Sequence, residues 1–222
     1  MSSLARTLQE QLAVDEISTG QYVSRLPPER MANVTNIAYG GCTLGVAIAA
    51  ACQTVKPGYH LYTAMGNYLG SALTDRKLFI HVQSVRDTRT FATRQVPVYQ
   101  KRDGHQERRP CLTALIDFQL AEKKSLLRYS ASPAMVYAAA ESLHNVEQVD
   151  EHLVTSGKVL PELIKLLATE ASLMHRVFDI RPSPEGVMHQ STRPSQNTYD
   201  SRPSHTHRKN DRGLFQDQAY AC

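Results

Sequence analysis

Two glycines and a cysteine, Gly40, Gly41 and Cys42, open a segment with helical periodicity. The first N–H groups of a helix have no intrahelical acceptor, and the helix dipole favours negative charge there, so the glycines can present their backbone to a ligand oxygen. Close packing of the helix entry also explains them. An exposed Cys42 thiol would have a lowered pKa and be a nucleophile, but the sequence places no histidine beside it, and a small packed residue is the alternative.

Arginines around a predicted turn form a second group of candidate binding residues. Arg86 and Asp87 lie on the turn, and Arg94 lies on the following strand. Guanidinium groups bind phosphate and amide oxygens. We therefore predict that Arg86 and Arg94, like the Gly40 to Cys42 turn, contact a substrate. The alternative is a solvated turn with a local ion pair.

Composition limits the class of protein. Hydrophobic residues make up 41% and charged residues 21% of the 222 residues, which is enough for a core. The net charge of +4 comes from residues 101–109 and the C-terminal tail, so we do not expect nucleic-acid binding.

The four cysteines lack CxxC spacing and no signal peptide precedes them, which favours an intracellular protein. The longest apolar run, residues 42–52, is about half a bilayer span, so we expect no membrane segment.

A buried helix must position the glycine turn. Residues 11–26 contain β-forming residues up to Pro27 and Pro28, and predict a short first strand. From Gly41 to Val55 the apolar residues follow i, i+3, i+4 spacing and the remaining sides stay small. This pattern predicts a helix that is buried nearly all round.

Antiparallel strands follow this helix, at residues 61–69, 78–86, 90–100 and 112–120. A tight turn around residues 86–89 joins the second strand to the third, and Asp103-Gly104 forms the next hairpin. In the last strand one face carries Leu112, Ala114, Ile116, Phe118 and Leu120. Periodicity thus predicts an α+β domain in residues 1–122, with several architectures open.

Helical periodicity returns after Glu122. One apolar stripe comprises Met135, Ala139, Leu143, Val146, Val149 and Leu153, and Pro161 opens another helix with Leu163, Ile164, Leu167 and Leu173 or Met174. We predict a helical linker over residues 123–181 and a disordered tail over residues 182–222, which are rich in Ser, Arg, His and Pro. His205 and His207 lack an ordered third ligand, so we predict no metal site.

Four blocks of residues occur in a recognisable order. They run from Tyr39 to Ala47, from Thr54 to Gly58, from Val85 to Val96 and from Leu112 to Gln119. Together they resemble the first repeat of acyl-CoA thioesterase II, the double hot-dog enzymes of bacteria, peroxisomes and fungi. The resemblance implies a hot-dog fold, in which an antiparallel sheet wraps around a central helix. Residues 123–182 resemble the segment that joins the two repeats in that family.

The chain departs from that family in three places. The family's catalytic Asp, Thr and Gln belong to the second repeat, which is largely missing after Arg181, so no catalytic residue can be assigned. Cys42 stands where relatives usually have Gln. Gly70 to Leu73 replaces the usual basic-Pro-Gly-Asp turn.

The resemblance implies an acyl-CoA thioesterase, which hydrolyses acyl-CoA to a free acid and coenzyme A by attack of water, without a cofactor. The acyl chain would lie beside the buried helix, where each methylene contributes about 0.8 kcal/mol. Four basic residues of the hairpin loop would attract the coenzyme A phosphates or simply keep the loop soluble: Lys101, Arg102, Arg108 and Arg109. A fungal origin and a role in secondary metabolism, such as toxin biosynthesis, are also expected from the resemblance.

The alternative function is a catalytically inactive hot-dog half that serves as a binding or assembly module. Under either hypothesis an unpaired sheet edge favours a homodimer. Dehydratase chemistry is a third possibility, but it needs a histidine near an acid, and no histidine precedes the helix. We expect an intracellular location, either cytoplasmic or peroxisomal. The C-terminal residues do not match a peroxisomal targeting signal, and no other targeting signal is visible.

Overall fold

The fold was analysed in a computed structural model, which describes residues 4–31, 35–102, 104, 107–122, 127, 129–131, 136–170 and 172–183. These residues form a seven-stranded antiparallel sheet and several helices. The strands are β1 Val14–Ser18, β2 Gln21–Ser24, β3 Tyr59–Tyr68, β4 Phe79–His81, β5 Gln83–Asp87, β6 Phe91–Lys101 and β7 Arg108–Leu120. Their order is β1-β2-β4-β6-β7-β3, with β5 paired to β6.

The two longest strands, β6 and β7, form the centre of the sheet. Their pairing runs from Phe91 opposite Gln119 to Lys101 opposite Arg108, which confirms the second predicted hairpin, although Asp103 itself lies outside the described residues. The predicted inner face of β7 is also confirmed, since Leu112, Ala114, Ile116 and Phe118 are buried. Alternating apolar residues therefore place one face of the sheet in the core.

Helix α2, Gly40–Cys52, packs on that inner face. Ala47, Ala50 and Ala51 each have 0% exposure, which lets the helix approach the strands closely. Elsewhere on the helix, Ile48 and Ala49 are only half-buried. The antiparallel sheet around this helix confirms the predicted α+β hot-dog fold.

Two predicted strands differ from the structure. Residues 11–26 contain the end of a short helix, α1 Leu8–Gln11, and the β1–β2 hairpin instead of one strand. Gly20 makes the hairpin turn possible because its φ is +71°. The strand predicted over residues 78–86 is two strands, interrupted at Val82, whose N–H donates to the Gly20 carbonyl at 2.7 Å. Because Gly20 and Val82 are far apart in the chain, local periodicity does not reveal this bond.

The predicted helix at 135–153 is wrong in its first half. Met135 lies outside the described residues, residues 136–139 have no regular structure, and Ala140–Ser142 is a single 3-10 turn. Helix α3 is Val146–Thr155, because Asn145 and Gln148 form a capping box that fixes its start. Pro161 opens helix α4, Pro161–Glu170, as predicted, and a separate helix α5, Ser172–Val177, follows.

The compact unit that contains these elements spans residues 1–182. Apart from Pro182 and Ser183, the tail for which disorder is predicted lies outside the described residues, as do His205 and His207. Within the part of the chain that is described, no helix has the length and apolar character to cross a bilayer. The predicted domain limits at 122 and 181 stay predictions.

We predict that Ala50→Leu lowers the free energy of unfolding by about 1 to 3 kcal/mol, because the added methylenes force the helix away from the sheet. Ala49→Leu, on the half-buried side of the same helix turn, is the matched control and should change it by less. Urea unfolding followed by circular dichroism measures both. Equal effects would contradict the close helix–sheet contact.

Candidate functional site

The Gly40-Gly41 turn at the start of α2 lies between two tyrosine rings. A Cβ atom added to Gly40 would lie 2.9 Å from the Tyr68 hydroxyl, and one added to Gly41 would lie 2.5 Å from the Tyr39 ring. Real Cβ atoms do not approach so closely, so the glycines allow both rings to pack on the turn. This packing is the alternative explanation that the sequence left open, and it leaves the predicted substrate contact as a prediction.

Among the described residues, no acceptor is found for the first N–H groups of α2. The first helical bonds run from the N–H groups of Cys42 and Thr43 to the Tyr39 carbonyl, at 3.0 and 3.3 Å. The N–H groups of Gly40 and Gly41 precede these bonds, and the Tyr39 side chain makes no capping hydrogen bond. The positive end of the helix dipole therefore lies at a turn that the Tyr39 side chain does not cap by a hydrogen bond.

A pocket of about 400 Å³ adjoins Gly40. Its walls include Thr43, Tyr68, Ser71 and Cys111. Burial, and then the nearby Tyr39, raises the pKa of Tyr68, so its hydroxyl stays protonated at neutral pH and can donate a hydrogen bond. No carboxylate or imidazole group is among the described residues that line this pocket. The pocket thus offers hydrogen-bond donors but no proton acceptor of the usual catalytic kind.

Cys42 lies on the inner side of the same turn. Its side chain is only 5% exposed, and its Sγ accepts a hydrogen bond from Gln11 Nε2 at 3.7 Å. Burial raises the pKa of the Cys42 thiol, despite opposing hydrogen bonds from Glu29 and Gln11. The thiol is therefore protonated at neutral pH, which corresponds to the small packed residue and not to an activated nucleophile.

Arg94 is buried, with 4% exposure, and lies at the other end of α2. Its Nε donates to Thr54 Oγ1 at 2.8 Å and one Nη donates to the Thr54 carbonyl at 3.1 Å, just after the last helical residue. The guanidinium also donates to Ser84 Oγ at 3.1 Å and to Asp87 Oδ1 at 2.8 Å. Arg94 therefore joins the helix C-terminus to strand β5.

Arg86 and Asp87 complete this second group. The exposed Arg86 guanidinium lies 5.8 Å from the centroid of the Phe91 ring. The backbone carbonyl of Arg86 accepts a hydrogen bond from Arg94. The hydrogen bonds from Ser84 and then Arg94 hold the pKa of Asp87 below its usual value. Because α2 has 13 residues, the glycine turn and the Arg94 group are about 20 Å apart. The five predicted substrate-binding residues thus form two separate groups.

The basic hairpin loop borders the Gly40 pocket. Arg109 donates to the carbonyl of Ser71, a residue of the pocket wall, and lies against Gly70. Farther out, the Arg108 guanidinium lies 4.1 Å and the Lys101 ammonium 5.5 Å from the centroid of the Phe79 ring. Arg109 therefore borders the pocket that contains the helix N-terminus, whereas Arg108 and Lys101 lie against Phe79, one residue farther along the same hairpin. Positive charges at this hairpin attract phosphate groups.

Tyr68 is the residue of this site that the sequence did not identify. It lies on β3, and only the passage of that strand across the start of α2 brings its hydroxyl to Gly40. A second polar group also depends on strand pairing. Asp117 accepts from Thr63 at 3.1 Å and from Thr93 at 2.6 Å, across three adjacent strands. These contacts follow from register alone, so no short motif reports them.

An antiparallel sheet that packs around a central helix, with the helix N-terminus at a pocket, defines a hot-dog protein. Residues 27–119 match the family described as acyl-CoA thioesterase N-terminal domain. This match supports the acyl-CoA thioesterase family for the hot-dog part of the chain. No curated protein matches the chain significantly.

Solved thioesterase structures resemble the chain. A putative thioesterase II from Thermobifida fusca has 16% identity and a TM-score of 0.51, with 65% of this chain and 49% of that chain covered. The tesB protein of Mycobacterium avium subspecies paratuberculosis has 18% identity and a TM-score of 0.49, with 61% and 49% covered. Identities this low show the fold alone. The chain spans about half the length of these proteins.

We predict that Arg94→Met lowers the free energy of unfolding by more than about 2 kcal/mol, because it removes the charged hydrogen bonds that the buried guanidinium donates to Thr54, Ser84 and Asp87. Arg86→Met should change it by less than about 0.5 kcal/mol, since Arg86 is exposed. Chemical denaturation of both variants provides the comparison. A destabilisation by Arg86→Met as large as that by Arg94→Met would refute the different roles.

Proposed function

We propose that this protein binds acyl-CoA at the start of α2 and hydrolyses the thioester to a free acid and coenzyme A. The match of residues 27–119 to the acyl-CoA thioesterase N-terminal domain carries the proposal. Support comes from the pocket beside Gly40, which combines a helix N-terminus, a hydroxyl donor and the neighbouring Arg109 guanidinium. This combination suits a ligand with a polar carbonyl and phosphate groups.

In this proposal the thioester carbonyl oxygen points toward the N–H groups of Gly40 and Gly41, with the Tyr68 hydroxyl as a further donor. Donors fixed in a partly buried pocket stabilise the negative charge that develops on this oxygen during attack. The phosphates of coenzyme A lie toward the end of the β6–β7 hairpin, where Arg109 borders the pocket and the next residues outward, Arg108 and Lys101, lie against Phe79. Arg109 forms part of the boundary between these two regions.

Hydrolysis requires a water oxygen to bond to the thioester carbon, the carbon–sulfur bond to break, and a proton to pass from the water to the leaving thiolate. No described residue lining the Gly40 pocket is a carboxylate or histidine that could accept this proton on the way. We therefore propose that the proton acceptor comes from a second hot-dog domain placed against this one, either another copy or a further domain.

The lack of a base in the described pocket wall also favours a second candidate function, a binding module that holds acyl-CoA without hydrolysing it. Release of free thiol from acyl-CoA by the purified full chain distinguishes the two. Turnover above background supports the enzyme, whereas tight binding without turnover supports the module. The fungal origin, the role in secondary metabolism and the cytoplasmic or peroxisomal location remain proposals from the resemblance.

The edge of the sheet suggests how a second hot-dog domain would be placed. Strand β3 is the last strand in the order and pairs only with β7 among the described strands. Its side chains leave large apolar groups exposed: Leu61 at 47%, Tyr62 at 62% and Met65 at 68%. An exposed apolar edge strand is a site for pairing with another strand. We propose that two copies form a homodimer through β3.

For substrate binding, we predict that Lys101→Glu combined with Arg108→Glu raises KM for acyl-CoA at least about tenfold, because two attractive charges become repulsive. The KM for the acyl-N-acetylcysteamine thioester, which has no phosphates, should stay within about twofold. Thiol release is the assay, and calorimetry with a nonhydrolysable acyl-CoA thioether gives the same comparison as Kd if turnover is absent.

The matched control for this charge reversal is Arg89→Glu, on the exposed turn at the opposite end of β6. It should leave both KM values unchanged. An equal loss of affinity for both thioesters, or an equal effect of Arg89→Glu, would show that the cluster beside Phe79 does not contact the phosphates.

For assembly, we predict that Tyr62→Lys combined with Met65→Lys converts a dimer of the 24.8 kDa chain into a monomer, because charged side chains on an edge strand oppose strand pairing. Val85→Lys, an equally exposed apolar position on β5, should leave the dimer intact. Light scattering after gel filtration gives the mass. A wild-type monomer, or a double variant that is still dimeric, would contradict pairing through β3.

A further inference from the structure

Helix α5 lies outside residues 27–119, the range that matches the thioesterase family, but it belongs to the same folded unit. One Nη atom of Arg176 lies 2.6 and 2.7 Å from the two carboxylate oxygens of Glu29. The Nε atom of Arg176 donates to the Ala5 carbonyl at 2.9 Å. Leu173, one helical turn earlier, is only 4% exposed. A charged contact and an apolar contact thus hold α5 against the N-terminal part of the hot-dog domain.

The ion pair between α5 and Glu29 is shielded from solvent. The Arg176 side chain is 25% exposed and the Glu29 side chain 18% exposed. Salt and water screen partly buried charges much less than exposed ones. Because the guanidinium is also fixed by its hydrogen bond to Ala5, it restrains the carboxylate more firmly than an exposed ion pair would.

The backbone of Glu29 contacts the residues on both sides of the glycine pair. Its carbonyl accepts a hydrogen bond from the N–H of Tyr39, the residue before the pair, at 2.7 Å. Its own N–H donates to the sulfur of Cys42, the residue after the pair. Pro28, which precedes Glu29, is fully buried and has a fixed φ. A single well-anchored residue therefore brackets the glycine turn.

A hollow of about 290 Å³ lies on the side of the glycine turn away from the Gly40 pocket. Its wall includes Gly41 and Cys42 from α2 and apolar side chains from α5, among them Leu173 and Val177. Helix α5 and the glycine turn are thus joined around this hollow by the ion pair and the backbone hydrogen bonds of Glu29.

The orientation of the glycine N–H groups is what these contacts restrain. Glycine has more backbone freedom than any other residue, so a turn that begins with two glycines depends on its neighbours to hold one conformation. A misplacement of about 1 Å in a group that acts on the substrate can lower a reaction rate about a hundredfold. Contacts on both sides of the pair therefore bear on the chemistry proposed for it.

We propose that Arg176 is a positioning residue for the thioester reaction, an inference that rests on the proposed acyl-CoA function. Arg176 holds Glu29, and Glu29 keeps the N–H groups of Gly40 and Gly41 directed at the thioester carbonyl oxygen. Loss of this restraint weakens the stabilisation of the negative charge that develops in the transition state. It therefore lowers kcat and leaves the KM for acyl-CoA nearly unchanged.

The first test measures thiol release from acyl-CoA by the full chain. We expect Arg176→Met and Glu29→Gln each to lower kcat at least about tenfold, with KM within about twofold of the wild type. Because both act through one contact, the double variant should lose no more than either single variant. Arg176→Lys, which keeps the charge but not the planar fork, should give a smaller loss.

Arg181→Met is the matched control. Arg181 follows in the same segment, is similarly exposed at 32%, and pairs with Asp179 at 2.9 Å, a residue outside the glycine turn. Its kcat should equal that of the wild type. Circular dichroism establishes that each variant is folded. A kcat that falls equally in Arg176→Met and in this control would overturn the inference, as would additive losses in the double variant.

The second test needs no turnover. Gly40-Gly41 is the only Gly-Gly pair among the 11 glycines of the chain. In protein labelled with glycine that carries ¹³C at the carbonyl and ¹⁵N, a correlation across the peptide bond therefore reports only the Gly41 N–H. We expect this signal to shift in Arg176→Met and to keep its position in Arg181→Met.

The two tests separate this inference from the proposed function. An unchanged Gly41 signal in Arg176→Met would overturn the inference, and so would a shifted signal with an unchanged kcat. If the wild type releases no thiol, the proposed hydrolysis fails, and the Gly41 signal alone decides whether Arg176 controls the turn.

Discussion

The close contact between helix α2 and the sheet is the constraint on which the rest of this structure depends. Ala47, Ala50 and Ala51 are fully buried against strands whose inner residues are larger, so the small side chains lie on the helix and the bulk lies on the sheet. This division fixes the distance between helix and strands. The same contact sets the positions of both helix ends relative to the sheet.

The two ends of α2 have opposite electrostatic character, and they differ in the side chains that bind them. At the C-terminus, the Arg94 guanidinium lies on the carbonyl of Thr54, where a positive charge complements the helix dipole. Its remaining side-chain hydrogen bonds reach Ser84 and Asp87 of strand β5. The Ser84 hydroxyl and then Arg94 lower the pKa of Asp87. At the N-terminus no side chain caps the helix, and the turn faces two pockets. The C-terminal end of α2 is thus bound by Arg94, whereas the N-terminal end keeps N–H groups that could bind a ligand.

The glycine turn divides the open end into two regions of different chemistry. On the Gly40 side, hydroxyl and backbone donors lie beside a cationic hairpin, which suits a thioester attached to a phosphate-bearing group. On the Cys42 side, the described wall is mostly apolar. Neither described wall contains a carboxylate or histidine. The proposed hydrolysis therefore relies on a proton acceptor from a second hot-dog domain.

The sequence by itself determined the elements whose periodicity is local: helix α2, the long strands β6 and β7, and the helix that Pro161 opens. It could not determine contacts that join distant parts of the chain. Arg94 and Thr54 are 40 residues apart, Gln11 and Cys42 are 31 apart, and Tyr68 reaches Gly40 only through strand placement. For the same reason the interruption of the strand at Val82 was missed, since its cause is a bond to Gly20. Periodicity reports which face of an element is apolar, whereas the partners of a polar side chain are decided by how those elements pack.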